Sequence, residues 1–236
     1  MKKAVLALTI LLASALALMA QLPYDETSRK AARAFDAAEW ATASALYNFM
    51  IHERPDDISA YAPAIVAAEA MGDSIRPMQL LTQSLQYGAS VDSIISLVRQ
   101  SSFKAARPQM FEPFLLEAKN ANPWLRRPID AQLLRWAEFR HDGPAIVTYA
   151  LTMLQGLPTS AQFLNSLAQG YMLCGLPQKA VETWTECLRH HPDNLPALLA
   201  LGNYYTINNR HDQALPFLTR AFAIAPTPRL QALISR

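Results

Sequence analysis

A period of thirty-four constrains this chain more than any other feature. Set "NSLAQGYMLCGLPQKAVETWTECLRHHPD" (165–193) against "LALGNYYTINNRHDQALPFLTRAFAIAPT" (199–227). Leu167 meets Leu201, Ala168 meets Gly202, Tyr171 meets Tyr205, Ala180 meets Ala214 and Pro192 meets Pro226, each pair one full period apart. The frame extends backwards, with Pro123 lying two periods and one position before Pro192, and Pro55 lying two periods before Pro123. A large residue followed eight later by proline recurs at Tyr47/Pro55, Leu115/Pro123, Trp184/Pro192 and Leu218/Pro226. The small slot upstream holds Ala43, Ala145, Ala180 or Ala214. Six repeats follow, near 24–57, 58–91, 92–125, 126–160, 161–194 and 195–228. The second and third are degenerate, with Pro77 and Phe111 in their small slots. Self-similarity at such a period marks an array of stacked units, none of which can bury its own apolar face.

The order L-[GA]-x2-Y…A-x3-[large]…P, at these spacings, resembles the tetratricopeptide (TPR) repeat over essentially all of the chain after residue 20. The resemblance implies an all-α fold, an α-solenoid of about six TPR-like helix-turn-helix units in a right-handed superhelix. In that reading, alanine or glycine at the eighth and twentieth positions lets paired helices approach. Tyrosine at the eleventh and a large residue at the twenty-fourth fill the space between them. Proline at the thirty-second ends the second helix. Composition agrees: alanine and leucine dominate while valine is scarce, which favours helix over strand.

The first twenty residues read differently. "MKKAVLALTILLASALALMAQ" has Lys2 and Lys3, an apolar run from Ala4 to Ala20 and small residues at its end, the order of a secretory signal. Cleavage is expected after Ala20, with an earlier cut after Ala17 as the variant. The rival is an uncleaved anchor formed by residues 4–20, at the lower edge of a membrane span. The expected location is therefore outside the cytoplasm, in the periplasm or cell envelope. Without Lys2 and Lys3 the 21 basic side chains become 19, equal to the 19 acidic ones. No basic field remains to attract nucleic acid, and membrane contact is expected only if the segment stays uncleaved.

Several residue groups resemble chemistry without supporting it. In "NNRHDQA" His211 and Asp212 fall in the turn between paired helices, where Asp212 is expected to cap the second helix and His211 to be solvated. "RHDGPA" (140–145) is expected to do the same job, with Asp142 as the cap and Pro144 in the first turn. A catalytic pair needs a pocket and a third group that orients the base, and a recurring turn supplies neither. Adjacent His190 and His191 point about 100° apart on a helix, so no shared ion is expected there. The repeat frame separates Cys174 from Cys187 by ~10 Å along antiparallel helices, beyond disulfide reach, so two buried thiols are expected. Trp40, Trp136 and Trp184 read as core, and Trp124 is left open between core and surface. We expect no catalytic residue, no metal and no cofactor.

TPR proteins, by this resemblance, are partner-binding scaffolds whose first helices line a groove with positions two, five, nine, twelve and thirteen. The residues expected to hold a partner are Asn165, Gln169, Met172, Leu199, Asn203 and Ile207. Gln169 and Asn203 share position nine, so their amides are expected to take the backbone of a neutral extended segment, with the apolar residues beside them. The partners implied are other proteins. A further contact is expected at the C-terminal end, where "RLQALISR" (229–236) forms a short capping helix through Leu230 and Leu233. Two other readings remain: a structural subunit of an envelope assembly, or an envelope hydrolase or acyl transferase with its site in the degenerate repeats. A Ser-x-x-K pattern at Ser101 and Lys104 represents the last, without the other motifs of that class.

Overall fold

The computed structural model describes residues 24–235, so the expected signal segment lies outside the described residues. Among those described there are thirteen α-helices: α1 (Tyr24–Asp36), α2 (Trp40–Glu53), α3 (Tyr61–Ala70), α4 (Arg76–Gln86), α5 (Val91–Lys104), α6 (Phe111–Ala121), α7 (Arg126–Phe139), α8 (Gly143–Gly156), α9 (Ala161–Leu173), α10 (Pro177–His190), α11 (Leu195–Ile207), α12 (His211–Ile224) and α13 (Pro228–Ile234). There is no strand among the described residues, and no described helix is long and apolar enough to cross a membrane. The chain divides into two compact units, the first ending at Pro128 and the second beginning at Ile129. Helices follow one another as antiparallel pairs, α1 with α2 through α11 with α12, as an α-solenoid requires.

Each pair turns on one residue in the left-handed region: Ala38, Gly72, Ala106, His141, Gly175 and Asn209, with φ between 53° and 77°. Consecutive members stand one period apart, save for a single extra position between Ala106 and His141. At every one of them the next N–H reaches back five residues, as Glu39 to Ala34, Asp73 to Ala68, Arg107 to Ser102, Asp142 to Ala137, Leu176 to Tyr171 and Arg210 to Tyr205, at 2.8–3.1 Å. This is the Schellman closure, which satisfies carbonyls that a helix C-terminus leaves free. The other end of each repeat uses proline. Arg54, Asn122, Leu157, His191 and Ala225 each precede one and hold φ between −129° and −139° with ψ between 69° and 85°. Pro Cδ excludes the helical region there, so the second helix stops. Pro158 thus joins the four in-phase prolines read from the sequence. The one described exit without proline uses Gly88 at φ 95°.

Of the two expected aspartate caps one holds and one needs correction. Asp142 does cap α8, accepting from the Ala145 N–H at 3.1 Å. Asp212, however, lies inside the first turn of α12, which starts one residue earlier; Arg210 is the N-cap and no side chain caps that end. Asp212 acts there through the helix dipole. His141 fills the left-handed slot that Asn209 fills later, so the two Arg-His-Asp stretches sit two positions out of register.

Packing follows the small slots where they are kept. Ala43, Ala180 and Ala214 are buried, and a Cβ added at Gly202 would stand 2.5 Å from Leu218 Cδ2 across the α11–α12 crossing. A core of Ala168, Trp184, Cys187, Leu198, Leu201 and Leu218 fills the later pairs. Trp136 and Trp184 are buried as read, Trp40 is half-buried, and Trp124 is 68% exposed. In the first unit α3 is apolar on every side and buried from Tyr61 to Ala68, as befits a helix packed on several neighbours. Phe111 is buried in its small slot, and the α5–α6 pair packs more loosely than α1–α2. Both cysteines are free thiols; Cys187 is buried, its acidity weakened by desolvation, whereas Cys174 is only half-buried.

Two stability tests follow. Gly202→Leu forces a side chain into the tightest crossing and should lower stability by ~1–3 kcal/mol, while His211→Ala at an exposed position should stay within ~0.5 kcal/mol; chemical denaturation of both variants checks this. Left-handed backbone costs an L-residue ~1–2 kcal/mol, so Gly175→Ala should lose about 1 kcal/mol. Ala106→Gly should raise the midpoint slightly, the relieved strain exceeding the added chain entropy of ~0.5–1 kcal/mol. Equal midpoints for these variants and the parent would refute the strain assignment.

Candidate functional site

Two residues before each left-handed turn, in the last turn of each first helix, the chain places Asp36, Ala70, Lys104, Phe139, Leu173 and Ile207. The first three and the last three behave differently. In the first unit Lys104 Nζ lies 2.7 Å from Asp36 Oδ1 and 5.9 Å above the Phe35 ring, and Arg107 lies 5.5 Å above the Trp40 ring. The turn ends of α1 and α5 are therefore joined by this ion pair, and these groove-edge groups are used internally. In the second unit Phe139, Leu173 and Ile207 are 57%, 45% and 80% exposed. Large, exposed apolar side chains thus recur at one slot of successive repeats, with Phe139 stacked on the Trp136 ring at 5.4 Å. Phe139 was missed in the sequence, although it lies one period before Leu173.

Two of the same helices carry the expected groove residues. Gln169 and Asn203 are exposed on α9 and α11, Met172 and Ile207 are exposed, and Leu199 is half-buried. Each primary amide offers two donors and an acceptor. Asn165 differs from the other five. Its Nδ2 donates to the Ala161 carbonyl at 2.7 Å and to Asn194 Oδ1 at 2.9 Å. The same Asn194 oxygen accepts from the Ala197 N–H at 3.0 Å and so caps α11. Asn165 is a link from α9 to the start of α11, with its donor already committed.

The residue groups that resembled chemistry are placed as follows. His211 and Asp212 border a small cavity of about 140 Å³ whose other walls are Ala214, Leu215, Leu218, Leu233 and Ile234, and on the other side an open depression shared with Asn209, Arg210 and Gln213; no hydrogen bond among the described residues joins the His211 imidazole to Asp212 or to a group that would orient it as a base. His190 Nε2 lies 2.9 Å from Glu186 Oε1, and His191 Nε2 lies 2.6 Å from the Thr159 carbonyl oxygen, so the adjacent imidazoles serve different partners. Arg189 and then His190 hydrogen-bond Glu186, lowering its pKa to about 2. Among the described residues no group of three or more His, Cys, Asp or Glu side chains is placed to hold a metal ion. Lys104 gives its ammonium to Asp36, not to Ser101.

Because Asn165 is structural, Asn165→Ala should remove about 1 kcal/mol or somewhat more of stability by releasing the Asn194 cap. Gln169→Ala should leave the denaturation midpoint unchanged. Reversal of that order would return Asn165 to the open surface.

No protein-family profile matches the chain. Over 95 residues it is 33% identical to cellulose synthase operon protein C of Pseudomonas fluorescens (strain SBW25), a stretch that covers 36% of this chain and 7% of that protein. The chain thus spans only a small part of that curated relative. Among solved structures, PilW, a widely conserved type IV pilus biogenesis factor, aligns at 14% identity with a TM-score of 0.53, covering 89% of this chain and 98% of that one. The human IFIT1 dimer with m7Gppp-AAAA aligns at 14% identity with a TM-score of 0.50, covering 80% of this chain and 47% of that one. At such identities the likeness is one of fold. Together with the sequence period and its six left-handed turns, it makes this chain a TPR-like α-solenoid protein.

Proposed function

We propose that this protein is a non-catalytic, protein-binding scaffold of the cell envelope, and that its second compact unit holds a neutral, extended segment of a partner. The observation that carries this reading is the recurrence of Phe139, Leu173 and Ile207 as exposed side chains at one repeat slot. Uncovered apolar side chains of this size mark interaction surfaces, and full burial of one is worth ~1.5–3 kcal/mol. The amides of Gln169 and Asn203 argue for an extended partner. A helix satisfies its backbone groups internally, whereas an extended segment has N–H and C=O groups to share. No cation stands at these groove positions, which disfavours an acidic tail. The Lys2–Lys3 head and apolar run of residues 4–20 support export. The end of the array at α13, where Leu230 is buried and Leu233 half-buried, is a second proposed contact.

The test is capture by a photo-crosslinker placed at Met172, followed by affinity measurement with the partner so identified. Gln169→Ala with Asn203→Ala should weaken binding at least tenfold, about 1.4 kcal/mol. Leu173→Ser with Ile207→Ser should weaken it further. None of these changes should shift the melting temperature. Wild-type affinity in both double variants would place the binding surface elsewhere.

A further inference from the structure

The first compact unit carries a surface of different chemistry. A cleft of about 710 Å³ runs between α4 and α6, within the ~300–1,000 Å³ range of ligand pockets. Gln79, Gln83 and Gln86 line it from α4, spaced four and three residues apart and so stacked on one helix face. At 1.5 Å per residue the row is ~10 Å long. Gln79 Oε1 accepts from Arg76 at 3.3 Å, leaving its NH2 group. No hydrogen bond ties the amide of Gln83 or Gln86 to another described residue. By contrast, Thr82 donates to the Met78 carbonyl and Asn122 to the Ala118 carbonyl.

The one charged side chain among the described residues of the lining is acidic. Glu117 lines the cleft, and no basic side chain among the described residues does. The Arg76 guanidinium, at the Gln79 end of the row, is shared between Gln79 Oε1 at 3.3 Å and Asn48 Oδ1 at 2.6 Å, so its charge does not reach the Glu117 side. Glu117 and Asp73 both lie near Glu69, and after burial they are the further causes that raise its pKa. Ile75 and Tyr87, 67% and 48% exposed, supply apolar surface in the lining.

We propose that this cleft binds an extended peptide segment bearing a lysine or arginine, its backbone along Gln79, Gln83 and Gln86 and its cation at Glu117. An extended chain rises ~3.4 Å per residue, so the amide row spans about three residues. Amides that both donate and accept match a backbone that does the same. The cationic preference comes from Glu117, which has no hydrogen bond or ion pair among the described residues, in a lining without lysine or arginine. This site is independent of the neutral surface on the second unit.

A random-peptide display selection against the whole protein tests it. The selected peptides should be enriched in lysine or arginine flanked by apolar residues. Their affinity should fall at least tenfold in Gln83→Ala with Gln86→Ala and at least threefold in Glu117→Gln. It should also weaken with added salt and be unchanged in Gln169→Ala with Asn203→Ala. On the unsubstituted protein, the selected peptide should shift the side-chain amide resonances of Gln83 and Gln86, a readout that does not depend on how the variants fold. Selection of nothing, of peptides without basic residues, or of peptides that leave those resonances unmoved would overturn the proposal.

Discussion

Every helix pair depends on reversing the chain within a few residues, and one backbone conformation achieves this six times. The left-handed residue lets the following N–H close onto a carbonyl five residues back, so the helix ends with its acceptors satisfied and the next begins at once. The requirement is strong enough that Ala38, Ala106 and His141 are forced into a region that L-residues avoid. Where the reversal is fixed, the crossing is fixed with it. Only then do small residues such as Ala180 or Gly202 fall where two helices nearly touch. Proline completes the period by stopping the second helix through the residue before it.

The same repeated backbone produces two kinds of surface because side chains at one slot differ. Asp36 and Lys104 close an edge in the first unit with an exposed ion pair, while Phe139, Leu173 and Ile207 leave the edge of the second unit apolar and open. An exposed ion pair adds little stability, so the contrast concerns what each surface is available to touch. On the first unit the polar opportunity lies on its second helices, where α4 presents its row of glutamines. A repeat array can thus carry separate recognition surfaces without changing its scaffold.

Much of the candidate site was legible because it is periodic. Gln169 and Asn203 are related by one period and both reach solvent, as the repeat frame predicts. Phe139 obeys the same arithmetic, but it lies in the longer repeat, where counting from the repeat boundary slips by one. Asn165 was not legible, since its hydrogen bond to Asn194 joins separate repeats and no local pattern announces it. Asp212 was misplaced for a simpler reason. Aspartate favours both the cap and the first helical turn, and sequence alone does not separate adjacent positions at a helix start.

The amino-acid sequence by itself determined the helix content, the period and the stops, because these arise from interactions within a few residues: left-handed tolerance at Gly72 and Gly175, the exclusion before each proline, and the apolar stripes that drive pairing. Tertiary structure alone decided the division into two compact units, the meeting of Asp36 with Lys104 across two full periods, and the cleft between α4 and α6. Those features depend on how separate helices settle against one another. Packing free energy depends on shape and burial summed over many side chains, and no single segment of sequence contains that sum.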